Sequence, residues 1–589
     1  MHDGPAEAQD APLGYQSDVI AALIRQYGFP YIVLNPGASF RGLHDSLVNF
    51  NGDDPPMLIS QHEKIAVQIA HGYAKATGNP LAVIVHNVVG LLHATLGVYT
   101  AYLDRVPVFL IGATGPMDEG KRRPRLDWNH TAHAQGEAVR NFTKWDYQPG
   151  GIDGVPPSFA RAYSIMMSEP QGPVYMVYDA WLQEAPLTRK IALPAIGAPR
   201  QPTRLAPETE PLEEAAERIL AARWPVLVPE YVGRVETGSR DLQELAETIG
   251  APVVDSGVRL NFPPQHRLDM RLTAEVFRDA DLIVGLDLRD WQKPTHKVDQ
   301  MTRMIAPHYP ESCEWMEIGF GDIEVNKWTT EQPPFPDCSH RILADTAIAV
   351  PELARICAKR IDNDPSLARL VDARRRLISD MHDTRRARWR DDARKDWDAS
   401  PISVARLASE VWDAIRKEDW VLTTNAFDNW AFKLWDFDKP YRHPGIGLGT
   451  GNQIGIALGV ALAHKGSGRI VVDCQPDGDL MFDAGALWFA ARYEIPMLVV
   501  MHNNRAYWND WDHQITMARQ RGTPVERANI GMDLVDPAPD FAALANSMGW
   551  YAEGPIEDPA DIRGALDRAL AVVKRGKPAL IDTVTRRGR

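Results

Sequence analysis

Two apolar runs in this sequence each end on a residue with a hard oxygen ligand. Asp473-Cys474-Gln475-Pro476-Asp477-Gly478-Asp479 follows the run Ile470–Asp473, and Asn503-Asn504 follows the run Met497–His502. A helical pattern, Ala484–Tyr493, lies between them. If both runs are neighbouring strands of a parallel sheet, Asp477 and Asn504 sit beyond their carboxyl ends, where open α/β sheets bind ligands. A carboxylate and an amide oxygen are ligands that Mg²⁺ takes together with phosphate oxygens. Gly478 lets the backbone approach a phosphate closely. Either motif alone is ordinary turn chemistry. Together, each after a strand and with 26 residues between Asp477 and Asn504, they are more specific.

Glu63 is the second signal. Gln61-His62-Glu63-Lys64-Ile65-Ala66 opens a helix that closes at Gly78-Asn79-Pro80. The spacing is not HExxH, so a zinc-protease reading fails. A glutamate in a first helical turn is by itself an ordinary partner of the helix dipole.

The elements that must position these residues fall into three blocks, as 589 residues at roughly 100–200 per domain predict. The first, residues 12–185, has short strands at Tyr31–Leu34, Ala82–His86, Val108–Ile111 and Val174–Val177 with helical patterns between. The second, 205–360, has strands at Pro225–Val228, Pro252–Asp255 and Asp281–Leu286 and an irregular stretch, Trp291–Pro336. The third, 398–589, has strands at Val421–Thr423, Ile470–Asp473, Met497–His502 and Ala579–Val584. Alternating strands and helices predict an α/β fold of three doubly wound parallel sheets. A proline-rich connector, 184–211, follows the first block. A charged helix, Ser366–Lys395, precedes the third, and its arginines read as a solvated face.

Composition narrows the function. The net charge of −14 argues against nucleic acid or an anionic membrane as main partner. No apolar run reaches ~18 residues, so no membrane span is expected. The N-terminus lacks the basic start and apolar run of a signal peptide. The four cysteines form no CxxC pair. A cytoplasmic location is the expectation.

The segment Pro476–Asn504 resembles the thiamine-diphosphate motif, a Gly-Asp-Gly followed downstream by Asn-Asn. The Glu63 region is similar to that of the acetolactate synthase and benzoylformate decarboxylase superfamily. Asn35-Pro36-Gly37-Ala38-Ser39, His86-Asn87-Val88-Val89-Gly90, Lys144-Trp145-Asp146-Tyr147 and Pro170–Tyr175 resemble stretches of benzoylformate decarboxylase. One departure stands in the motif: Pro476 replaces its first glycine.

The resemblance implies thiamine diphosphate and Mg²⁺ as cofactors, with Asp477, Asn504 and the backbone carbonyl of Ala506 as metal ligands. It implies that Glu63 bonds to N1′ of the pyrimidine, so that the 4′-imino group removes the C2 proton. The resulting ylid adds to a carbonyl, the adduct loses CO₂ or an aldehyde, and the enamine left behind is protonated with help from His86. Asn35, Gly37, Asn425, Phe427, Asp428, Gly449, Thr450, Gly451, Gly478, Asp479 and Tyr507 are expected at the cofactor, Asn425–Asn429 through backbone amides. Ala38, Ser39, Asn87, His93, Trp508 and His513 are expected, with His86, near the substrate. Thr450 stands where relatives carry a bulky apolar residue, and Ala38 where the decarboxylase carries serine.

The expected function is a lyase that decarboxylates a 2-oxo acid or cleaves a 2-hydroxy carbonyl compound. A carboligase of acetolactate synthase type is the alternative, and a non-catalytic paralogue is a third reading, resting on Pro476 and Thr450. A required FAD is not expected, because the stretch after Pro225–Val228 lacks a dinucleotide fingerprint; the same lack disfavours a nucleotide-binding oxidoreductase. The expected partners are a small carbonyl substrate and further copies of the chain, as a homodimer or homotetramer with its active site at the subunit interface.

Overall fold

Strands that are apolar along their whole length need helices on both faces of their sheet, and the computed structural model has that arrangement three times. Residues 13–194, 202–324, 337–445 and 449–588 are described. The first sheet contains β1 (Ile32–Leu34), β2 (Met57–Ile59), β3 (Ala82–Ile84), β4 (Phe109–Thr114), β5 (Trp145–Tyr147) and β6 (Val174–Asp179), in the order β2-β1-β3-β4-β6-β5. Every pairing is parallel. Leu34 is in register with both Ile59 and Ile84, so the chain leaves β1, β2 and β3 at one edge of the sheet.

The second sheet contains β7 (Pro225–Pro229), β8 (Leu282–Leu286), β11 (Glu314–Gly319) and β12 (Cys338–Leu343), again all parallel. A small antiparallel pair, β9 (His296–Val298) with β10 (Ile305–Pro307), stands apart from it. The third sheet has the order β13-β14-β15-β17-β16: β13 is Trp420–Leu422, β14 Ile470–Pro476, β15 Leu498–Asn503, β16 Tyr551–Ile556 and β17 Ala579–Val584. It too is parallel throughout.

The chain forms two compact units. One comprises residues up to Thr203 with Ile454–Ala463 and Asp483–Phe489; the other comprises Arg204–Gln453, His464–Phe482 and Ala490–Arg589 and carries the second and third sheets. Within the first unit the helices Glu63–Thr77 and Gln453–Ala463 meet backbone to backbone. A Cβ on Gly72 would sit 1.9 Å from the Ile456 carbonyl oxygen, and one on Gly459 would sit 2.1 Å from that of Ile69. Only glycine permits that approach.

Several expectations need correction. Pro252–Asp255 is no ladder strand; Val253 makes only isolated bridges, to Leu227 and Asp269. β2, β5, β11, β12 and β16 were not anticipated, because each is short or mixes charged and apolar residues. β14 runs on to Pro476, so Asp473 and Gln475 are strand residues with buried polar side chains. The helix Asp477–Asp483 starts at once, before the anticipated helical run. Of the irregular stretch Trp291–Pro336, residues 325–336 lie outside the described residues, as do 195–201 of the proline-rich connector.

The helix Pro365–Ala393 is solvated along only part of its arginines: Arg376, Arg388 and Arg390 are exposed, whereas Arg374 and Arg386 are buried. Arg374 is buried and donates to the carbonyls of Ala222 and Ile249 (3.0 and 2.6 Å). Arg385 donates to the carbonyls of Arg271 and Asp269. Unpaired carbonyls at element ends need donors, and a long guanidinium supplies several. Among the described residues no helix is long and apolar enough to cross a membrane.

Candidate functional site

The loops leaving β1, β2 and β3 bring together residues far apart in sequence. Glu63 is the first residue of its helix and only 4% exposed. His62 caps that helix: its Nδ1 accepts the Lys64 N–H at 3.1 Å. His93, from the helix Val88–Leu103, places Nδ1 3.1 Å from Glu63 Oε2. The His62 and His93 rings stack, with centroids 4.7 Å apart.

His86 follows β3. Its Nδ1 lies 2.7 Å from the hydroxyl of Ser39, which is buried. Burial, and then the neighbouring His130 at 5.6 Å between centroids, hold the His86 pKa below its ordinary value. The ring therefore stays neutral in the neutral pH range. Two glycines make room here. A Cβ on Gly37 would lie 2.7 Å from the His86 ring, and one on Gly90 would lie 2.7 Å from His86 Cβ and 3.0 Å from Glu63 Oε1. Asn87 is turned to structure: it is buried and its Oδ1 accepts the Val89 N–H as helix cap. Ala38 is exposed beside Ser39.

The trio His62, Glu63 and His93 offers three ligand atoms within 4.8 Å of one another. The His62 Nδ1 is an acceptor already, which puts the proton of its neutral ring on Nε2. The trio is thus set up for hydrogen bonding rather than for ligation.

A second constellation stands at the carboxyl ends of β13, β14 and β15, around a cavity of about 560 Å³. Asp477 is 1% exposed, and its Oδ2 accepts the Ala506 N–H at 3.1 Å. Burial raises its pKa, and backbone amides with the charge of His502 act against that. Asn504 has a buried Oδ1 with no hydrogen-bond partner. A buried carboxylate and an unsatisfied amide oxygen on one cavity wall are the donor set a small divalent cation with phosphate ligands requires. The site therefore fits Mg²⁺.

The rest of the wall sorts the other expected residues. Asp479 accepts the N–H groups of Gly451 (2.6 Å) and Gln453 (3.1 Å), so its carboxylate holds the glycine loop in place. Of that loop, Gly449 and Thr450 line the cavity, and Thr450 has φ +69°; residues 446–448 lie outside the described residues. Gly478 is packed on Tyr507, whose ring a Cβ would meet at 2.7 Å. Asn425 and Asp428 line the cavity, and Asn425 Oδ1 accepts the Asp428 N–H at 3.2 Å. Phe427, Asp428 and Asn429 form a run of left-handed residues, with φ of 52°, 49° and 71°. Such strain collects at functional sites. The Phe427 side chain is fully buried in the core against Trp435, so only its backbone is available to a ligand. Trp508 lines the cavity, while His513 is exposed further along the same helix.

His502 was missed. It lines the cavity, 6% exposed, with Nδ1 2.7 Å from Thr585 Oγ1 and Nε2 3.4 Å from Asp428 Oδ2. Burial opposes its charge, but the hydrogen bond and charge of Asp428, with the charge of Asp477, outweigh that and raise its pKa. Its sequence signal was only its place, last but one in an apolar strand and two residues before Asn504.

Comparison with known proteins agrees with this division. The family model described as "Thiamine pyrophosphate enzyme, N-terminal TPP binding domain" matches residues 16–138, and "Thiamine pyrophosphate enzyme, C-terminal TPP binding domain" matches 426–583. The chain is 25% identical over 595 residues to acetolactate synthase isozyme 3 large subunit of Escherichia coli (strain K12), covering 96% of this chain and 93% of that protein. It is 24% identical over 585 residues to benzoylformate decarboxylase of Pseudomonas aeruginosa, covering 96% and 97%. Among solved structures, benzoylformate decarboxylase from Polynucleobacter necessarius superposes with a TM-score of 0.74 at 20% identity, covering 97% of this chain and 98% of that one. The 4-hydroxybenzoylformate decarboxylase of Rhodococcus jostii RHA1 gives 0.73 at 18%, covering 98% and 99%.

Proposed function

Given that this chain is a member of the thiamine-diphosphate-dependent enzyme superfamily, with both of its cofactor-binding domains, we propose that it is a carbon–carbon lyase acting next to a carbonyl group. Its substrate is a 2-oxo acid to be decarboxylated or a 2-hydroxy carbonyl compound to be cleaved. The observation that carries this reading is the Ser39–His86 pair at 2.7 Å beside Glu63. A neutral histidine held by a hydroxyl gives the site its own proton donor and acceptor, which protonation of a product carbon requires.

When bound, thiamine diphosphate supplies the electron sink for the carbanion left by bond cleavage. The chain's residues do the rest. Asp477, Asn504 and the carbonyl of Ala506 would hold Mg²⁺, which would supply positive charge for the cofactor's phosphate oxygens. Asp479 keeps Gly451 and Gln453 in the loop conformation that borders the cavity. Tyr507, seated on Gly478, forms an aromatic wall. Glu63 would hold the cofactor's pyrimidine ring and offer its carboxyl group as proton donor and acceptor there. His86 moves a proton at Nε2, because Ser39 engages Nδ1.

The carboligase reading draws support from the full-length similarity to an acetolactate synthase subunit. It would differ only in what meets the reacting carbon, a second carbonyl compound in place of a proton. In the lyase reading His86 delivers that proton. Self-association is part of the proposal, with the glutamate constellation of one subunit serving the metal constellation of another. The chain is read as a cytoplasmic enzyme.

The test is Glu63→Gln, assayed with a panel of 2-oxo acids and 2-hydroxy ketones by release of CO₂ or aldehyde. General acid–base groups contribute ~10²–10⁴-fold, and a loss of that size in a folded variant is expected. Activity left intact would remove the proposed role of Glu63.

A further inference from the structure

Asn504 carries two carbonyl oxygens, and they have different surroundings. Its side-chain Oδ1 is buried without a hydrogen-bond partner. Its main-chain oxygen accepts from Arg587 Nε at 3.1 Å. The same guanidinium donates from Nη2 to the main-chain oxygen of Arg505 at 3.4 Å. All three residues belong to the second compact unit.

The third sheet explains why a side chain is needed there. β15 and β17 pair in parallel as far as Asn503 beside Val584. The ladder runs one bond further, from the Thr585 N–H to the Asn503 carbonyl at 2.8 Å. Then the two backbones part. Arg505 has φ +57°, a left-handed conformation that residues with a side chain seldom adopt. Arg586 turns its N–H to the Ile402 carbonyl. Arg587 reaches back across this gap with a planar fork that can serve two acceptors at once. The Arg505 oxygen also takes the Leu534 N–H at 2.8 Å, so the closer contact, to Asn504, is the one with most to lose. The guanidinium is itself held over the Trp511 ring, 4.7 Å from the centroid, where a cation is attracted to the ring face. The Arg505 side chain is engaged elsewhere, with Glu557 at 2.7 Å. The residue before Asn504 is pinned as well: Asn503 Nδ2 donates to Asp582 Oδ1 at 2.9 Å, and its Oδ1 accepts the Arg505 N–H at 3.2 Å.

We propose that Arg587 is a positioning residue of the metal site: by holding the main-chain oxygen of Asn504, it leaves Oδ1 as the oxygen of that residue offered to Mg²⁺. This rests on the proposed ligand role of Asn504. Arg587 acts through the loop and touches neither metal nor cofactor. Without its donor, the main-chain oxygen becomes a second hard ligand on the same residue. Mg²⁺ demands a near-ideal octahedron, whereas Ca²⁺ accepts about six to eight oxygens in flexible arrangements. Losing the fork therefore costs Mg²⁺ more than Ca²⁺.

The experiment is calorimetric titration of Mg²⁺, and separately of Ca²⁺, into the metal-stripped full chain with thiamine diphosphate present. Arg587→Gln is expected to weaken Mg²⁺ binding about 10- to 100-fold, the usual cost of removing a group that orients a metal ligand. The loss for Ca²⁺ should be at least ~5-fold smaller. Arg587→Lys keeps the charge without the fork, and should behave as Arg587→Gln does. Unchanged Mg²⁺ affinity in Arg587→Gln would overturn the proposal. So would wild-type affinity in Arg587→Lys, because charge alone would then suffice. Equal losses for the two metals would make Arg587 a part of the fold alone and overturn it too. Failure of the wild-type chain to bind thiamine diphosphate with Mg²⁺ is a separate result, which would overturn the cofactor reading and this proposal with it.

Discussion

Ser39 Oγ lies 2.7 Å from His86 Nδ1 and so ties the loop after β1 to the loop after β3. The bond selects Nε2 as the reactive nitrogen of His86. Ser39→Ala is expected to lower kcat about 2- to 10-fold, the equivalent of one net hydrogen bond of ~0.5–1.5 kcal/mol, with cofactor affinity unchanged. Steady-state kinetics beside cofactor titration checks this. A wild-type kcat would show that the bond does not orient the ring.

Gly37 stands against the same ring. A methyl group there would sit 2.7 Å from the imidazole, so Gly37→Ala must push His86 aside. Its loss in kcat should exceed that of Ser39→Ala, and combining Gly37→Ala with His86→Ala should cost little beyond His86→Ala alone. Additive losses would mean that Gly37 acts elsewhere.

Gly478 and Tyr507 form a comparable pair in the metal constellation. Gly478→Ala overpacks the Tyr507 ring at 2.7 Å, a strain worth ~1–3 kcal/mol. Affinity for thiamine diphosphate with Mg²⁺ should fall about 5- to 100-fold. Adding Tyr507→Ala should relieve part of that loss, through a coupling of ~0.5–3 kcal/mol. Calorimetry on the two single variants and the double variant measures it, and strict additivity would contradict the contact.

Asp473 gives a prediction about stability. It is fully buried in β14, accepts from the hydroxyls of Thr423 and Thr424 (2.7 and 3.0 Å), and is pushed up to about 6 from 3.8 by burial. A carboxyl raised on folding contributes stability below its unfolded pKa and loses it as pH rises through the folded value. The window here is about pH 4 to 6. The difference, 6 − 3.8 = 2.2, amounts to about 3 kcal/mol. Asp473→Asn keeps an acceptor and never ionises. It should stabilise the protein at pH 7–8 by up to about that amount and be neutral below about pH 4. Denaturant titrations at pH 4 and pH 8 test this, and equal effects at both would contradict the shift.

The sequence was most readable where apolar runs end abruptly in polar residues. Asp477 and Asn504 were singled out that way, because a buried strand that stops at a ligand edge leaves a sharp boundary; Glu63 and His86 were singled out by resemblance to family motifs. Three kinds of feature stayed hidden. His502 was counted as the last residue of such a run, after Val500 and Met501, and so was read as strand. The buried arginines Arg374 and Arg386 looked like solvent residues, because sequence does not show which carbonyls need donors. The strands β2, β5 and β16 are short or carry charged residues, so neither length nor alternation marked them. Asn87, a residue of the same motif as His86, also caps a helix through its oxygen, which its sequence context did not mark.

The most direct measurement is calorimetry of the metal-stripped chain with thiamine diphosphate, with and without Mg²⁺, for the wild type, Asp477→Ala and Asn504→Ala. Binding that requires Mg²⁺ in the wild type and is lost in both variants is the expected result, since the Asp477 carboxylate and the orphaned Asn504 oxygen are the proposed ligands. Binding without metal, or unchanged binding in the variants, would contradict the site described at the ends of β14 and β15.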